Sequence, residues 1–426
     1  MLHTEHELVE LQAFIVGLGA AMNAASEPVY SVQDRLSRVA RAYGARDARI
    51  SALSTSLMVT LGRGESATLE LTTPLSSSPR LDQIADLHRL LRQAEQAVID
   101  PVEGLRRLEE IREMPPRFGP LAGIAGYAVL TVGICLILHP APRDVAAAAV
   151  FGAIVGALRL ATRNQPTLQV LLPVMAAFVI AALTALAVKH DLADPGLRSM
   201  IASLVVFLPG VALTTAVLEL AAGDMIAGSS RLVWAGVQLM LLAFGILAGI
   251  QAAGVPTKKA FESADAILGG WAPWLGVLVF AAGVLVAHSA PARSFGALLI
   301  VLYAAWIGQV VGNHLFGGYV SGLVGAIVMT PVAALVARMP SGMPVYASFL
   351  PGFWLLVPGA MSLIGLTELA GNAKTVGSQD FLAAVGSVFA VALGVLCGTQ
   401  LQQWVEVGAR WFGRHGRDAG SGAAPP

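Results

Sequence analysis

Long apolar runs are the feature that most constrains this chain. Of its 27 basic and 27 acidic residues, 28 lie in residues 1–116, whereas only 20 lie in residues 118–405. A membrane-spanning helix needs about 20 mainly apolar residues, and the second region offers ten such runs. We therefore predict an α-helical integral membrane protein with ten transmembrane helices, at 119–138, 145–160, 167–188, 199–222, 229–251, 267–288, 295–312, 315–337, 345–367 and 381–404.

Residues 1–116 have the composition and periodicity of a small soluble α/β domain. Apolar residues recur on one helical face in the segments 31–44 and 80–98, which is typical of amphipathic helices. Short runs rich in β-branched and apolar residues predict three strands, at 48–53, 56–61 and 67–71.

The distribution of basic residues predicts how the spans are oriented. If the N-terminus is cytoplasmic, twelve basic residues flank the spans on the inside and six on the outside. This bias favours both termini in the cytoplasm. The predicted order is the soluble domain 1–116, five-span repeats at 117–252 and 253–405, and a disordered C-terminal tail at 406–426.

The tetrapeptide FLPG occurs at 207–210 and again at 349–352, in the fourth span of each group of five. Pro209 and Pro351 each remove a helix donor, and Gly210 and Gly352 permit close backbone approach. Because each repeat holds an odd number of helices, the second copy would enter the membrane from the opposite side. Secondary transporters place broken helices at the substrate site in such inverted repeats. The alternative is a pair of ordinary proline kinks.

Polar residues after the first FLPG are candidates for substrate binding and proton coupling. Glu219 and Asp224 follow Pro209, and Arg231 lies two helical turns after Asp224. A carboxylate near a break can carry a coupling proton, and Arg231 would be its partner at a gate. Thr214 and Thr215 would contact substrate. The alternatives are carboxylates at headgroup level and threonines bonded to their own helix.

Other chemistry finds little support in the residues. Ser31, Asp34 and His88 could be assembled into a hydrolase site, but single residues of these types occur in most domains of this size. Cys135 and Cys397 each lie in an apolar run without close Cys or His neighbours, so we expect buried core residues and neither a metal site nor a disulfide. We also expect no cofactor and no enzyme activity. The net charge of zero gives no reason to expect a nucleic-acid partner.

Several motifs resemble the bacterial threonine/serine exporter family. They are the helix "VYSVQDRLSRVARAYG", the block "LPGVALTTAVLELAAGDMIAGSSRL", and "SFLPGFWLLVPG" after Arg338. The most specific part is the pattern of Gly223, Asp224, Gly228 and Arg231. The chain departs from the family at Ser26-Glu27-Pro28, where small or polar residues are expected.

The resemblance implies a proton-driven exporter that carries threonine and serine across the cytoplasmic (inner) membrane. Some relatives, with the two halves on separate chains, are linked to dicarboxylate export. A dicarboxylate would need an extra basic residue among the spans, and none is evident there, so the sequence favours a neutral amino acid. A membrane-anchored hydrolase acting through residues 1–116, a channel or scaffold, and assembly into a homo-oligomer stay open.

Overall fold

The computed structural model describes residues 5–62, 68–72, 78–190, 198–256, 268–339, 342–356 and 386–404. The predicted tail at 406–426 lies outside these ranges.

The N-terminal unit, residues 5–113, combines four helices with an antiparallel sheet in which β2 pairs with both β1 and β3. Its core holds Leu11, Phe14 and Leu36, and Ala227 from the membrane region joins it. The elements are α1 (Glu5–Ala24), α2 (Val29–Ala42), β1 (Arg49–Leu53), β2 (Ser56–Leu61), β3 (Thr68–Thr72), α3 (Leu81–Glu95) and α4 (Pro101–Glu113).

The predicted helices and strands of this unit are confirmed with small shifts. The predicted helix at 31–44 begins earlier, at Val29, because Pro28 supplies the extended residue before the first turn. It ends at Ala42, and Gly44 follows with a positive φ of 85°. Asp100 caps α4 by accepting a hydrogen bond from the Val102 N–H at 3.0 Å.

The rest of the described chain is a set of mainly apolar helices. Proline occupies the first turn of several of them, where its missing N–H costs nothing. They are α5 (Pro120–Ile137), α6 (Pro142–Thr162), α7 (Pro166–Lys189), α8 (Arg198–Leu204), α9 (Gly210–Ala222), α10 (Met225–Ala252), α11 (Ala272–Ala287), α12 (Phe295–Phe316), α13 (Gly318–Val336), α14 (Val345–Leu356) and α15 (386–404).

Five of these helices are long and apolar enough to cross a membrane, and a bent pair raises the number to six. The chain is therefore a helical integral membrane protein. The other four predicted spans are helical where they are described, but they do not meet the same length and hydropathy within the described residues.

The two FLPG segments differ in backbone conformation. At the first, α8 continues as a 3-10 turn at Val205–Phe207, and α9 starts at Gly210. The two helical pieces are bent by 56°. Leu208 is extended (φ −68°, ψ 129°), the conformation that a following proline favours.

The prediction of a break at the second FLPG is wrong for the described residues. Pro351 lies inside α14, which runs unbroken from Val345 to Leu356. A proline inside a helix removes one hydrogen bond and kinks the backbone without necessarily ending the helix. Phe349 and Trp354 are both buried, and this packing holds the helix on each side of the proline.

Glycines bring the backbones of α5 and α11 into direct contact. A methyl group added at Gly133 would lie 2.3 Å from the backbone nitrogen of Phe280. One added at Gly283 would lie 2.2 Å from the backbone nitrogen of Leu130. Gly283 and Phe280 each lie 150 positions after their counterparts Gly133 and Leu130. Since higher numbers on one helix meet lower numbers on the other, the two helices are antiparallel.

A second glycine contact also occurs twice. A methyl group at Gly245 of α10 would lie 2.7 Å from the Val174 carbonyl oxygen of α7. A methyl group at Gly394 of α15 would lie 2.4 Å from the Leu323 carbonyl oxygen of α13. Both members of the second pair lie 149 positions after those of the first.

Candidate functional site at the broken span

The carboxylate of Glu219 is the centre of the site. Glu219 lies in the last turn of α9 and its side chain is 0% exposed. Its Oε1 accepts hydrogen bonds from the Val29 backbone N–H at 3.0 Å and from Arg231 Nε at 3.1 Å. Its Oε2 is buried and has no hydrogen-bond partner among the described residues.

Arg231 ties three parts of the chain together. It projects from α10 to Glu219 on α9, and its Nη2 donates to the Glu27 backbone oxygen at 3.3 Å. Its side chain is only 11% exposed. The broken span, the following helix and the α1–α2 connection of the N-terminal unit therefore meet at one guanidinium.

The predicted pairing of Asp224 with Arg231 is not observed among the described residues. Asp224 is the residue before α10, is partly exposed, and makes no side-chain cap hydrogen bond. Gly223 ends α9 with a positive φ of 91°, which turns the chain so that Arg231 folds back onto Glu219. The spacing of seven would place Asp224 and Arg231 on one face only if both lay within the same helix.

A second buried acid lies at the departure from the family pattern. Glu27 and His88 are 0% and 4% exposed, and Glu27 Oε1 lies 2.8 Å from His88 Nε2. This distance suits an ion pair, although the atoms are not aligned as a hydrogen bond. His88 Nδ1 lies 2.9 Å from Arg35 Nη1, and its ring stacks on Tyr346 of α14 at 6.3 Å.

Tyr30 adds a neutral hydroxyl beside these acids. Burial, and then the charges of Glu219 and Asp224, raise the pKa of Tyr30 above its ordinary value. The phenol is therefore protonated at physiological pH.

The residues predicted to frame a substrate are buried at the break. Pro209 and Gly210 are buried, and Thr214 and Thr215 are 0% and 3% exposed. Thr214 Oγ1 has no hydrogen-bond partner in the described part of the chain, so it is not bonded to its own helix.

Two features of the second FLPG segment add to this picture. Ser348 precedes the tetrapeptide, and its buried Oγ likewise has no partner among the residues described. Gly352 packs on α13, where an added methyl group would lie 2.4 Å from Met329 Sδ. Pro351 is buried beside it.

One basic residue at this site was missed by sequence reasoning. Arg159 of α6 places its guanidinium carbon 5.2 Å from the Tyr127 ring centroid and 5.9 Å from that of Phe207, the first residue of FLPG. The signal in the sequence was a basic residue within an apolar run. Arg159 was included only among the twelve basic residues that flank the spans on the inside.

The residues considered for hydrolysis have other partners. Asp34 forms an exposed ion pair with Arg38, whereas buried His88 faces Glu27 and Arg35. Within the described ranges, no group of His, Cys, Asp and Glu residues is arranged to hold a metal ion. Cys135 is buried as expected, but Cys397 is exposed.

Comparison with known proteins identifies the family. Residues 13–253 match the ThrE family, described as "Putative threonine/serine exporter". This match covers more than half of the chain. The protein belongs to the ThrE family. The matched part contains most of the N-terminal unit, the broken span and the whole of α10, so Glu219 and Arg231 both lie within it.

Two curated fungal proteins are also similar to this ThrE family member. Both are called pheromone-regulated membrane protein 10. The Debaryomyces hansenii protein is 23% identical over 372 residues, covering 84% of this chain and 36% of the relative. The Yarrowia lipolytica protein is 20% identical over 401 residues, covering 88% of this chain and 32% of the relative. The chain thus spans about a third of the length of these relatives, and no solved structure matches it.

Proposed function

We propose that this ThrE family member exports threonine and serine across the cytoplasmic membrane, driven by protons, and is not an enzyme. The observation that carries the proposal is a membrane span broken at Pro209 whose second half ends in a fully buried carboxylate, Glu219. Irregular backbone at membrane depth is tolerated where it is enclosed by protein or lines a cavity. Acidic residues within transmembrane segments often serve as proton relays in transporters, and Glu219 lies in the last turn of this span.

Glu219 is the proposed proton carrier, in preference to Asp224. Its Oε1 is occupied by Val29 and Arg231, whereas Oε2 is buried without a described partner and can take up the proton. Protonation removes the negative charge and weakens the pair with Arg231. It would thereby loosen the contact between the broken span and the N-terminal unit.

The proposed substrate site lies between the two FLPG segments. Pro209 and Gly210 interrupt one helix, and Pro351 and Gly352 lie inside the other. The buried Thr214 and Ser348 hydroxyls have no described partners. Buried hydroxyls are normally hydrogen-bonded, so these two are suited to the hydroxyl and ammonium groups of threonine or serine. Thr215 would border the same site.

Ten spans in two inverted repeats form the proposed architecture. The glycine contacts that recur at spacings of 149 and 150 residues support two equivalent halves, and the antiparallel α5 and α11 support their opposite orientation. We infer the boundaries 1–116, 117–252 and 253–405 for the soluble domain and the repeats.

Contacts of the N-terminal unit support cytoplasmic termini in a ten-span chain. The unit touches the end of α9 at Glu219, the residue after α11 at His288, and the start of α14 at Tyr346. With ten alternating spans, all three sites fall on the side of the N-terminus. The basic-residue bias assigns that side to the cytoplasm.

Transport by the purified full-length chain in proteoliposomes tests the proposal. We expect an imposed pH gradient to drive labelled threonine against its concentration gradient, and serine to compete. Threonine movement that is indifferent to the gradient would refute proton coupling. Absence of threonine and serine movement, in vesicles that are tight and contain folded protein, would refute the substrate assignment.

Dicarboxylate export is the second candidate, and Arg159 is the observation in its favour. The sequence offered no basic residue near the break, but the structure places this guanidinium beside Phe207. Labelled succinate in the same vesicles distinguishes the two: movement of succinate alone would replace the amino acids by a dicarboxylate.

A further inference from the structure

We propose that Arg159 is the residue that binds the carboxylate of the transported substrate. The inference rests on the proposed transport function and names the group that would hold the negative end of the cargo. It is carried by the placement of one arginine over the rings of Tyr127 and of Phe207, the first residue of the first FLPG segment.

Arg159 has no acidic partner among the described residues. Arg159 is half-buried, and no carboxylate of the described residues lies within ion-pair distance of it. Its recorded contacts are the faces of Tyr127 and Phe207. Contacts with two aromatic rings compensate only part of the desolvation of a half-buried guanidinium. A carboxylate ligand would supply the missing compensation.

The guanidinium of Arg159 lies beside the break. Phe207 directly precedes the extended Leu208, so Arg159 lies at the point where α8 and α9 separate. Arg163, four residues later, is exposed at the end of the same helix. Two arginines one turn apart therefore differ in environment, and only the first faces the broken span.

Neighbouring rings lead from Tyr127 through His288 to Trp354, which lies just after the second FLPG segment. The Tyr127 ring lies 5.9 Å from the His288 ring, and His288 lies 5.0 Å from the Trp354 ring. Trp354 follows the second FLPG by two residues. His288 Nε2 is buried and has no hydrogen-bond partner among the described residues, which leaves a second polar group in this cluster available to a ligand.

A guanidinium and a carboxylate are complementary in charge and in shape. A guanidinium is planar, stays charged, and donates two parallel hydrogen bonds to a carboxylate. The Tyr127 and Phe207 ring centroids lie 5.2 and 5.9 Å from the guanidinium carbon, and an arginine in such a contact can still donate hydrogen bonds to a carboxylate. Every substrate considered for this protein carries a carboxylate, so the assignment does not depend on which one is exported.

Binding and transport by three variants test the inference. Arg159→Gln removes the charge, Arg159→Lys keeps the charge without the planar fork, and Arg163→Gln removes the neighbouring exposed charge. Each full-length variant is purified in detergent, checked for monodispersity and helical content, and titrated with L-threonine and with L-threoninol, which lacks the carboxylate. Transport in proteoliposomes gives KM and kcat.

The wild type should bind threonine and not threoninol. Arg159→Gln should raise the KM for threonine about tenfold or more, since a charge-assisted hydrogen bond is lost. The KM of Arg159→Lys should lie between those of the wild type and Arg159→Gln. The KM of Arg163→Gln should equal that of the wild type. An unchanged KM in a folded Arg159→Gln variant, or equal binding of threonine and threoninol by the wild type, would overturn the inference.

Succinate separates this inference from the proposed function. If the wild type carries succinate and not threonine, and Arg159→Gln abolishes that activity, Arg159 keeps its role while the amino-acid assignment fails. If Arg159→Gln transports threonine with the KM of the wild type, the exporter assignment stands and the role of Arg159 is refuted. If no carboxylate binds to the wild type, both are refuted.

Discussion

The carboxylate of Glu219 accepts a hydrogen bond at 3.0 Å from the backbone N–H of Val29, which lies 190 positions earlier in the chain. Val29 is the first residue of α2, and the N–H groups of a first helical turn have no partner within the helix. The broken span therefore satisfies a donor that the N-terminal unit leaves open. At this point the N-terminal unit and the broken span are linked through a titratable group.

Replacing Val29 by proline should remove this link while leaving α2 intact. Proline is well tolerated at the first helical position, and Pro28 already has the extended conformation required before a proline (ψ 138°). Loss of a hydrogen bond to a charged group should lower the free energy of unfolding by about 1.5–3 kcal/mol. Chemical denaturation in detergent, followed by circular dichroism, measures the change.

A double-mutant cycle with Glu219→Gln isolates the bond from other effects of the proline. We expect Val29→Pro to cost less in the Glu219→Gln background, with a coupling of about 1 kcal/mol. Val29→Ala, which keeps the N–H, should show no such coupling. Additive effects of Val29→Pro and Glu219→Gln would contradict the proposed link.

Glu219→Gln should abolish gradient-driven transport and leave a folded protein. The amide keeps the size and an acceptor oxygen but cannot gain or lose a proton. Asp224→Asn is the matched control, because Asp224 is partly exposed and makes no ion pair with Arg231 among the described residues. Transport in proteoliposomes, with and without a pH gradient, compares the two. Loss of coupling in Asp224→Asn with normal coupling in Glu219→Gln would reverse the assignment.

Gly249→Ala should destabilise the packing of α10 on α7. The added methyl group would lie 2.4 Å from the Phe178 carbonyl oxygen, so the helices must separate, at a cost of about 1–3 kcal/mol. Gly236→Ala, on the same helix with nothing within 4 Å, should be neutral or stabilising, because alanine favours a helix over glycine by about 1 kcal/mol. Thermal unfolding in detergent should separate the variants. Equal melting temperatures would contradict the described packing.

Glu95 should make the stability of the N-terminal unit depend on pH. Burial opposes its ionisation, but Arg35 and Arg38 outweigh burial through hydrogen bonds and charge, and they lower the pKa of Glu95. The folded state therefore favours the ionised form. Its stabilisation is present above the ordinary glutamate pKa and is lost as the pH falls through the lowered folded pKa.

The variant Glu95→Gln should accordingly be less stable than the wild type at pH 7, by about 1–2 kcal/mol, and the difference should shrink toward pH 3. Thermal unfolding of the full-length chain at a series of pH values gives this difference. Glu113→Gln, at the end of α4 and without a described ion pair, is the control. A difference that grows on acidification would contradict the sign of the shift.

Many of the helices were predictable from the sequence, because residues at their ends, such as prolines in the first turn, set where they begin. Pro120, Pro142 and Pro166 each occupy the first position of a helix, where the sequence predicted a span to begin within three residues. Hydrophobic periodicity also located α2 and α3, since each buries one face on the core of the N-terminal unit. These signals act over a few residues and do not depend on distant partners.

The ion pairs at the site were harder to predict because they depend on how separate helices meet. The Asp224–Arg231 spacing suggested a shared face, but the positive φ of Gly223 redirects the chain and gives Arg231 to Glu219. Glu27 departs from the family pattern in the sequence, and its partner, His88, comes from another helix, so nothing in the sequence indicated this contact. Nothing local to Arg159 indicates Phe207 as its neighbour.

The close crossing of α5 and α11 limits where a path through the protein can open. Helices that touch backbone to backbone have no intervening side chains whose rotation would let them slide, and the two glycine contacts lie on both sides of the crossing. The pair α5 and α11 therefore forms a rigid contact within the helical bundle. In the proposed exporter, the movement that exposes cargo to one side of the bilayer and then the other would take place around this contact, in elements such as the bent span that already lack a continuous helix.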